Sequence, residues 1–204
     1  MQHLENSMEA FRAALAVGLD GFELDVQPTR DGVCCVLHDD DLARTAMGGG
    51  ILRQMKVSEL PKLKNGENVP RLTDVLELQA KLINVELKGE PGWKQALAAV
   101  EAADALDRVL FSSFEHSEVL QLWADCTEAR CGFLWDLEEA MALEPDELEE
   151  LPSQLMLHPP IAAVMAWPEL WRPYADRLVL WGMKTFAAAK ELPFQPAILI
   201  ADGP

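Results

Sequence analysis

Two carboxylates stand two residues apart in Gly21-Phe-Glu-Leu-Asp-Val26, and a histidine follows in Val36-Leu-His-Asp39, beyond a turn at Asp31-Gly32. The first segment reads as a β-strand, where side chains at i and i+2 leave the same face. Glu23 and Asp25 therefore point together, opposite to Phe22, Leu24 and Val26. Adjacent carboxylates resist joint ionisation unless a cation or a shared proton lies between them. Oxygen-ligated ions such as Mg²⁺, Ca²⁺ or Mn²⁺ are the usual resolution. A lone Glu-x-Asp pair is more often a solvated strand face, so the reading depends on what accompanies it. Glu86 and Lys88, in Asn84-Val-Glu-Leu-Lys88, repeat the i, i+2 pattern on a second strand. Three carboxylates (Glu23, Asp25, Glu86) can hold a divalent cation, Lys88 can neutralise a phosphate oxygen, and His38 can move a proton near neutral pH.

The elements that must position these groups alternate along the chain. Helical patterns cover residues 7–17, 91–106, 115–124, an acidic stretch after 135, 167–176 and 186–191. Strand-like runs cover 21–27, 82–87, 109–113, 130–135, 155–158, 178–183 and 197–201. Residues 33–37 read as an extended excursion from the first strand, residues 47–50 as a flexible Gly-rich connection, and residues 62–68 as a polar loop. A helix opens within residues 69–78 with Thr73 as its cap, and Asn6 is the expected cap of the first helix, which Gly18 stops. Strands separated by helices pair in parallel through right-handed crossovers. Seven such strands approach the eight of a closed (β/α)₈ barrel, whose functional groups lie at the C-terminal strand ends. Glu23, Asp25, Glu86, Lys88, Ser113, Phe114, His158, Trp181 and Asp202 all fall at or near those ends.

Composition narrows the function classes. The chain has 204 residues with 17 basic and 34 acidic side chains, a net charge of −17, which disfavours nucleic acid and anionic membrane surfaces. A phosphate-bearing small molecule then needs a local metal or a few placed cations. The acid-rich run 136–150 reads as a solvated helical face and loop. Cys34, Cys35, Cys126 and Cys131 lack zinc-site spacing and are expected as free thiols in a reducing cytosol. No apolar run approaches the roughly 20 residues of a membrane span. A soluble, cytoplasmic single domain over residues 1–204 is the expectation. Trp123, Trp135, Trp167 and Trp171 read as packing residues and His116 as solvent-facing, while His158 suits a rim or a structural role equally. No Gly-Lys-Ser/Thr follows Gly48-Gly49-Gly50, so that run is no phosphate loop.

Taken in order, Leu4-Glu-Asn-Ser-Met-Glu-Ala-Phe11, Gly18 to Val26, Thr29-Arg-Asp-Gly32, Val36-Leu-His-Asp39 and Leu42-Ala-Arg-Thr45 resemble the glycerophosphodiester phosphodiesterase family. Pro70-Arg-Leu72, Val85-Glu-Leu-Lys88, Ser112-Ser-Phe114, Trp181 and Ala201-Asp-Gly-Pro204 extend the resemblance over the chain. The resemblance implies a TIM barrel of the phospholipase-C-like phosphodiesterase type. It also implies hydrolysis of small-molecule glycerophosphodiesters to sn-glycerol 3-phosphate and an alcohol, with a divalent cation. By resemblance Glu23, Asp25 and Glu86 are metal ligands, His38 is one of two catalytic histidines, Lys88 lies near the phosphate, and Trp181 lies by the glycerol pocket. The family's opening strand with His-Arg-Gly has no counterpart ahead of Glu5, and His3 is too close to Glu5 to supply that histidine. Gly182-Met183-Lys184 replaces the family's Thr-Val-Asn, and the chain stops at Pro204 before the closing helix. The expectation is a barrel lacking its first strand and last helix, and inactive in that form. Its rivals are a lysophospholipase D-type enzyme and a non-catalytic remnant that binds glycerophosphate.

Overall fold

A computed structural model describes residues 3–89 and 92–203. Pro91, the expected first residue of the helix over 91–106, and Pro204 of the last motif lie outside the described residues. Helix α1 (Met8–Ala16) leads into β1 (Gly21–Pro28), which turns back as β2 (Cys34–Val36). Then follow α2 (Leu72–Leu76), β3 (Leu82–Leu87), α3 (Gly92–Ala102), β4 (Val109–Ser113), α4 (His116–Asp125) and β5 (Arg130–Leu134). The chain continues through α5 (Leu137–Ala142), α6 (Pro145–Glu150), β6 (Met156–His158), α7 (Ile161–Ala166), α8 (Pro168–Trp171), β7 (Val179–Met183) and β8 (Ile198–Ala201).

Six strands form one sheet in the order β2-β1-β3-β4-β5-β6, and β7 pairs with β8. All pairings are parallel except the β1–β2 hairpin. Parallel bridges Leu157–Leu178 and Pro160–Trp181 carry the array on from β6 to β7. The seven expected strands are thus neighbours in chain order, in a barrel-like α/β arrangement. Among the described residues, no strand pairing joins β8 to β1. The alternation within each strand explains the two faces. Ile83, Val85 and Leu87 of β3 are buried in one core with Leu24 and Val26 of β1 and Trp93, Ala96, Leu97 and Val100 of α3. Each buried aliphatic side chain contributes about 1.5–3 kcal/mol. The intervening residues Glu23, Asp25, Asn84 and Glu86 are left for the opposite face.

Several local expectations need correction. Ser7, not Asn6, caps α1, its hydroxyl accepting from the Ala10 N–H. Gly18 does stop the helix, with φ +89. The cap of α2 is Arg71, whose N–H is held by the Asp74 carboxylate at 3.1 Å, and Thr73 lies inside the helix. Helix α7, an apolar Ile-Ala-Ala-Val-Met-Ala segment without polar alternation, carries no helix signal in the sequence beyond the prolines before it. The connection through Gly48–Gly50 is pinned rather than loose: Asp41 bridges Ile51, Ala46 bridges Leu63, and the Leu42 N–H reaches the Gly50 carbonyl at 3.0 Å. Cys35, Leu37, Leu42, Leu52 and Leu63 give this excursion a small core of its own. The acidic run does form solvated helices, α5 and α6, with only Ala140 and Leu148 turned inward.

Candidate active site

Strands β1 and β3 lie side by side with Asp25 opposite Glu86 and Glu23 opposite Asn84. Parallel register and the i, i+2 repeat therefore bring three carboxylates to one place, with one oxygen from each of Glu23, Asp25 and Glu86 within 4.8 Å of the others. Lys88, two residues past Glu86, reaches back to Asp25 Oδ1 at 3.2 Å and Glu86 Oε1 at 2.5 Å. Burial raises the Glu23 pKa well above the ordinary carboxylate value, and the charges of Asp25 and Glu86 push it further, against the pull of Lys88. Glu86 is raised by burial and by Asp25, opposed by Lys88. Burial pulls Lys88 down, but Asp25 and Glu86 outweigh it and its pKa ends higher than usual. One lysine leaves the cluster with an excess of negative charge. An all-carboxylate donor set held together against that repulsion fits a hard divalent cation.

The histidine arrives on the hairpin. Buried Gln27, the next inward residue after Asp25, donates through Nε2 to the carbonyls of Leu37, His38 and Asp39 at 2.9, 3.1 and 2.9 Å. The Leu37 N–H also reaches the Asp25 carbonyl at 3.0 Å. These bonds fix the backbone that carries His38 against the strand that carries the carboxylates. The imidazole itself is half exposed, with Nδ1 2.7 Å from Asp39 Oδ1.

His38, Glu86, Lys88, Arg53, Ser113 and Phe114 line a single cleft of about 520 Å³. The Arg53 guanidinium holds the Lys88 carbonyl. One wall is aromatic: Phe114 lies 5.8 Å beneath Lys88 Nζ and edge-on to Trp181, ring centres 6.0 Å apart. Trp181 is anchored by its indole N–H on the His158 carbonyl at 2.9 Å.

Residues 1–148 match the glycerophosphoryl diester phosphodiesterase family. The chain belongs to that family. A glycerophosphodiester phosphodiesterase of Caldanaerobacter subterraneus subsp. tengcongensis is 31% identical over 172 residues, covering 76% of this chain and 70% of the relative. One of Bacillus altitudinis is 38% identical over 136 residues, 56% of this chain and 54% of that protein. Among solved structures, the glycerophosphodiester phosphodiesterase of Thermotoga maritima superposes with a TM-score of 0.75 at 28% identity, covering 98% of this chain and 89% of the other. An Oleispira antarctica phosphodiesterase, solved in complex with the product sn-glycerol-3-phosphate, shares the fold with a TM-score of 0.79 at 23% identity, covering 98% and 88%.

The fold brings Glu23, Asp25, Glu86 and Lys88 into one cluster, places His38 on the cleft that Glu86 and Lys88 line, and sets Trp181 edge-on to Phe114. It also adds Asn6, which clamps Asp25 instead of capping the first helix. Asn6 donates from Nδ2 to Asp25 Oδ2 at 2.8 Å and accepts the Asp25 N–H on Oδ1 at 3.3 Å. Its left-handed backbone, φ +52, turns the side chain from a capping position toward the strand. One other histidine is placed differently from expectation. His116 is not solvent-facing: its ring stacks on Phe133 at 4.3 Å and Nε2 lies 2.8 Å from the Leu134 carbonyl. His158 is fully buried, which agrees with a structural role, and neither ring nitrogen has a hydrogen-bond partner among the described residues. Trp135 and Trp171 are buried as expected, whereas Trp167 is exposed. The four cysteines are free thiols, and burial pushes Cys34, Cys35 and Cys131 up to about 12. No helix among the described residues is long and apolar enough to cross a membrane.

Proposed function

We propose that this phosphodiesterase family member hydrolyses glycerophosphodiesters to sn-glycerol 3-phosphate and an alcohol, with Glu23, Asp25 and Glu86 holding a divalent cation, Mg²⁺, Ca²⁺ or Mn²⁺. The observation that carries this reading is the cluster of three carboxylates that meets Lys88, with Glu86 and Lys88 lining the same cleft as His38. When bound, the cation supplies positive charge for a non-bridging phosphate oxygen. Lys88 adds a second cation beside it, already oriented by two carboxylates. His38 is one proton-transfer group, because its Nδ1 is occupied by Asp39 and Nε2 remains for substrate. Phe114, packed edge-on against Trp181, offers an apolar surface to the carbon skeleton of the glycerol unit. The net charge of −17 favours small diesters over polyanionic nucleic acid. Residues 1–204 belong to one phosphodiesterase domain, and its free thiols suit the reducing cytoplasm.

The test is release of glycerol 3-phosphate from glycerophosphocholine and glycerophosphoethanolamine, with each cation and with chelator. His38→Ala is expected to lower kcat by about 10²–10⁴-fold with little change in KM. Turnover that survives chelation, or His38→Ala with near-normal kcat, would overturn the assignment.

A further inference from the structure

His38 is the first member of a chain of contacts that runs away from the cleft. Its Nδ1 lies 2.7 Å from Asp39 Oδ1. Arg44 grips both oxygens of that carboxylate, Nε to Oδ2 at 2.5 Å and Nη2 to Oδ1 at 3.0 Å. The same Nη2 reaches Glu5 Oε1 at 2.6 Å. Lys64 Nζ holds the Arg44 carbonyl at 2.6 Å, which steadies the arginine from its backbone side. The side chains of Asp39, Arg44 and Glu5 remain one-third to one-half exposed, so this is no core ion pair. Exposed pairs of this kind contribute about 0–1 kcal/mol to stability. The network is better explained by what it does to the imidazole.

We propose that Asp39, Arg44 and Glu5 are positioning residues that fix the tautomer and orientation of His38, holding the proton on Nδ1 and presenting Nε2 to the cleft. The proposal rests on the proposed role of His38 in diester hydrolysis. A carboxylate accepts and cannot donate, so its contact with Nδ1 places the imidazole proton there and leaves the lone pair on Nε2. Arginine donates only, and its planar fork matches the two carboxylate oxygens. It therefore locks the rotation of Asp39, and Glu5 in turn locks the arginine. Hydrogen bonds from Arg44 and then His38 hold the Asp39 carboxyl well below the usual carboxylate range, so the acceptor stays ionised at working pH. Glu5 is lowered chiefly by its bond to Arg44. Glu5 also adjoins Asn6, which clamps Asp25. One short segment thus braces the metal carboxylates with one residue and the histidine with the next.

The discriminating variant is Asp39→Asn. Arg44 donates to both Asp39 oxygens, Nη2 to the one that faces His38 and Nε to the other, so the NH₂ of an asparagine meets an arginine donor in either orientation and the bidentate grip is broken. With the grip and the carboxylate charge gone, the ring is no longer held to the Nδ1–H form. Long-range ¹H–¹⁵N correlation spectra of the ¹⁵N-histidine-labelled full chain, with the His38 signals assigned by His38→Gln, read the tautomer directly. The wild type is expected as the Nδ1–H form and Asp39→Asn as a mixture of tautomers, with kcat down by about 10²-fold or more and KM nearly unchanged. Glu5→Gln and Arg44→Gln should give mixed tautomers and losses on the order of 10-fold, and Arg44→Lys should recover only part of the arginine effect. An Nε2–H tautomer in the wild type overturns the proposal, as does Asp39→Asn with unchanged tautomer and kcat. If no glycerophosphodiester is hydrolysed by the wild type, the functional reading fails, while the spectra still decide the role of the network.

Discussion

Histidine 158 makes the stability of the fold depend on pH in a direction that can be worked out. It ends β6 with its side chain fully buried and, among the described residues, both ring nitrogens unpartnered. Burial pulls its pKa down from 6.5 to about 3. The folded protein therefore keeps this ring neutral, whereas in the unfolded chain it takes up a proton below about pH 6.5. Between those values the unfolded state binds the extra proton, so stability falls as pH falls through the window. It is fully present above pH 6.5, and no more is lost below about 3. The slope approaches 1.36 kcal/mol per pH unit, so pH 5, about 1.5 units below the unfolded value, costs ~2 kcal/mol. His158→Leu, of similar bulk and without a proton to bind, removes this dependence. Urea unfolding of both proteins at pH 7.5 and pH 5 isolates it, because the carboxylates common to both cancel in the difference. The gap between variant and wild type should move by about 2 kcal/mol in favour of the variant on acidification. A gap that does not change with pH would refute the reasoning and mean that the ring is hydrated or charged inside the fold.

Two further outcomes follow from close contacts. Asn6→Ala removes the amide that clamps Asp25 and should weaken divalent-cation binding about 10–100-fold by isothermal titration calorimetry, an effect absent if the clamp is incidental. Gly132→Ala would place a Cβ 2.3 Å from His158 Nε2 and 3.0 Å from Met156 Cβ; the ring is enclosed and cannot swing away, so a loss of about 1–3 kcal/mol is expected in thermal or urea unfolding.

The carboxylate cluster was legible because each part of it is periodic. Glu23 with Asp25, and Glu86 with Lys88, are i, i+2 pairs, and a strand can send such residues only to one side. The order of strands was equally legible, since helices between them leave parallel neighbours as the simplest arrangement. What could not be read were features without a period. Asn6 matched the capping pattern Asn-x-x-Glu, and only its φ of +52 shows that the next residue, Ser7, takes the cap instead. His116 was read as exposed from its place at a helix start, where the aromatic shelf of Phe133 and Trp135 is invisible in the local sequence.

The network behind His38 shows why some functional detail escapes a sequence pattern altogether. Glu5 and Arg44 are 39 residues apart, and Asn6 and Asp25 are 19 apart. No local periodicity relates such positions; their meeting depends on the path of the hairpin and of the excursion that follows it. That path is set by apolar contacts that carry no chemistry. Leu42 is buried in the small core of the excursion, and its N–H bond to Gly50 sets the 3₁₀ turn that aims Arg44 at Asp39. Asp41 helps from the front of that turn, accepting the Ala43 N–H at 2.7 Å. A cavity at Leu42 would therefore loosen Asp39 and His38 without touching either. The excursion is the structural support on which the orientation of the histidine depends.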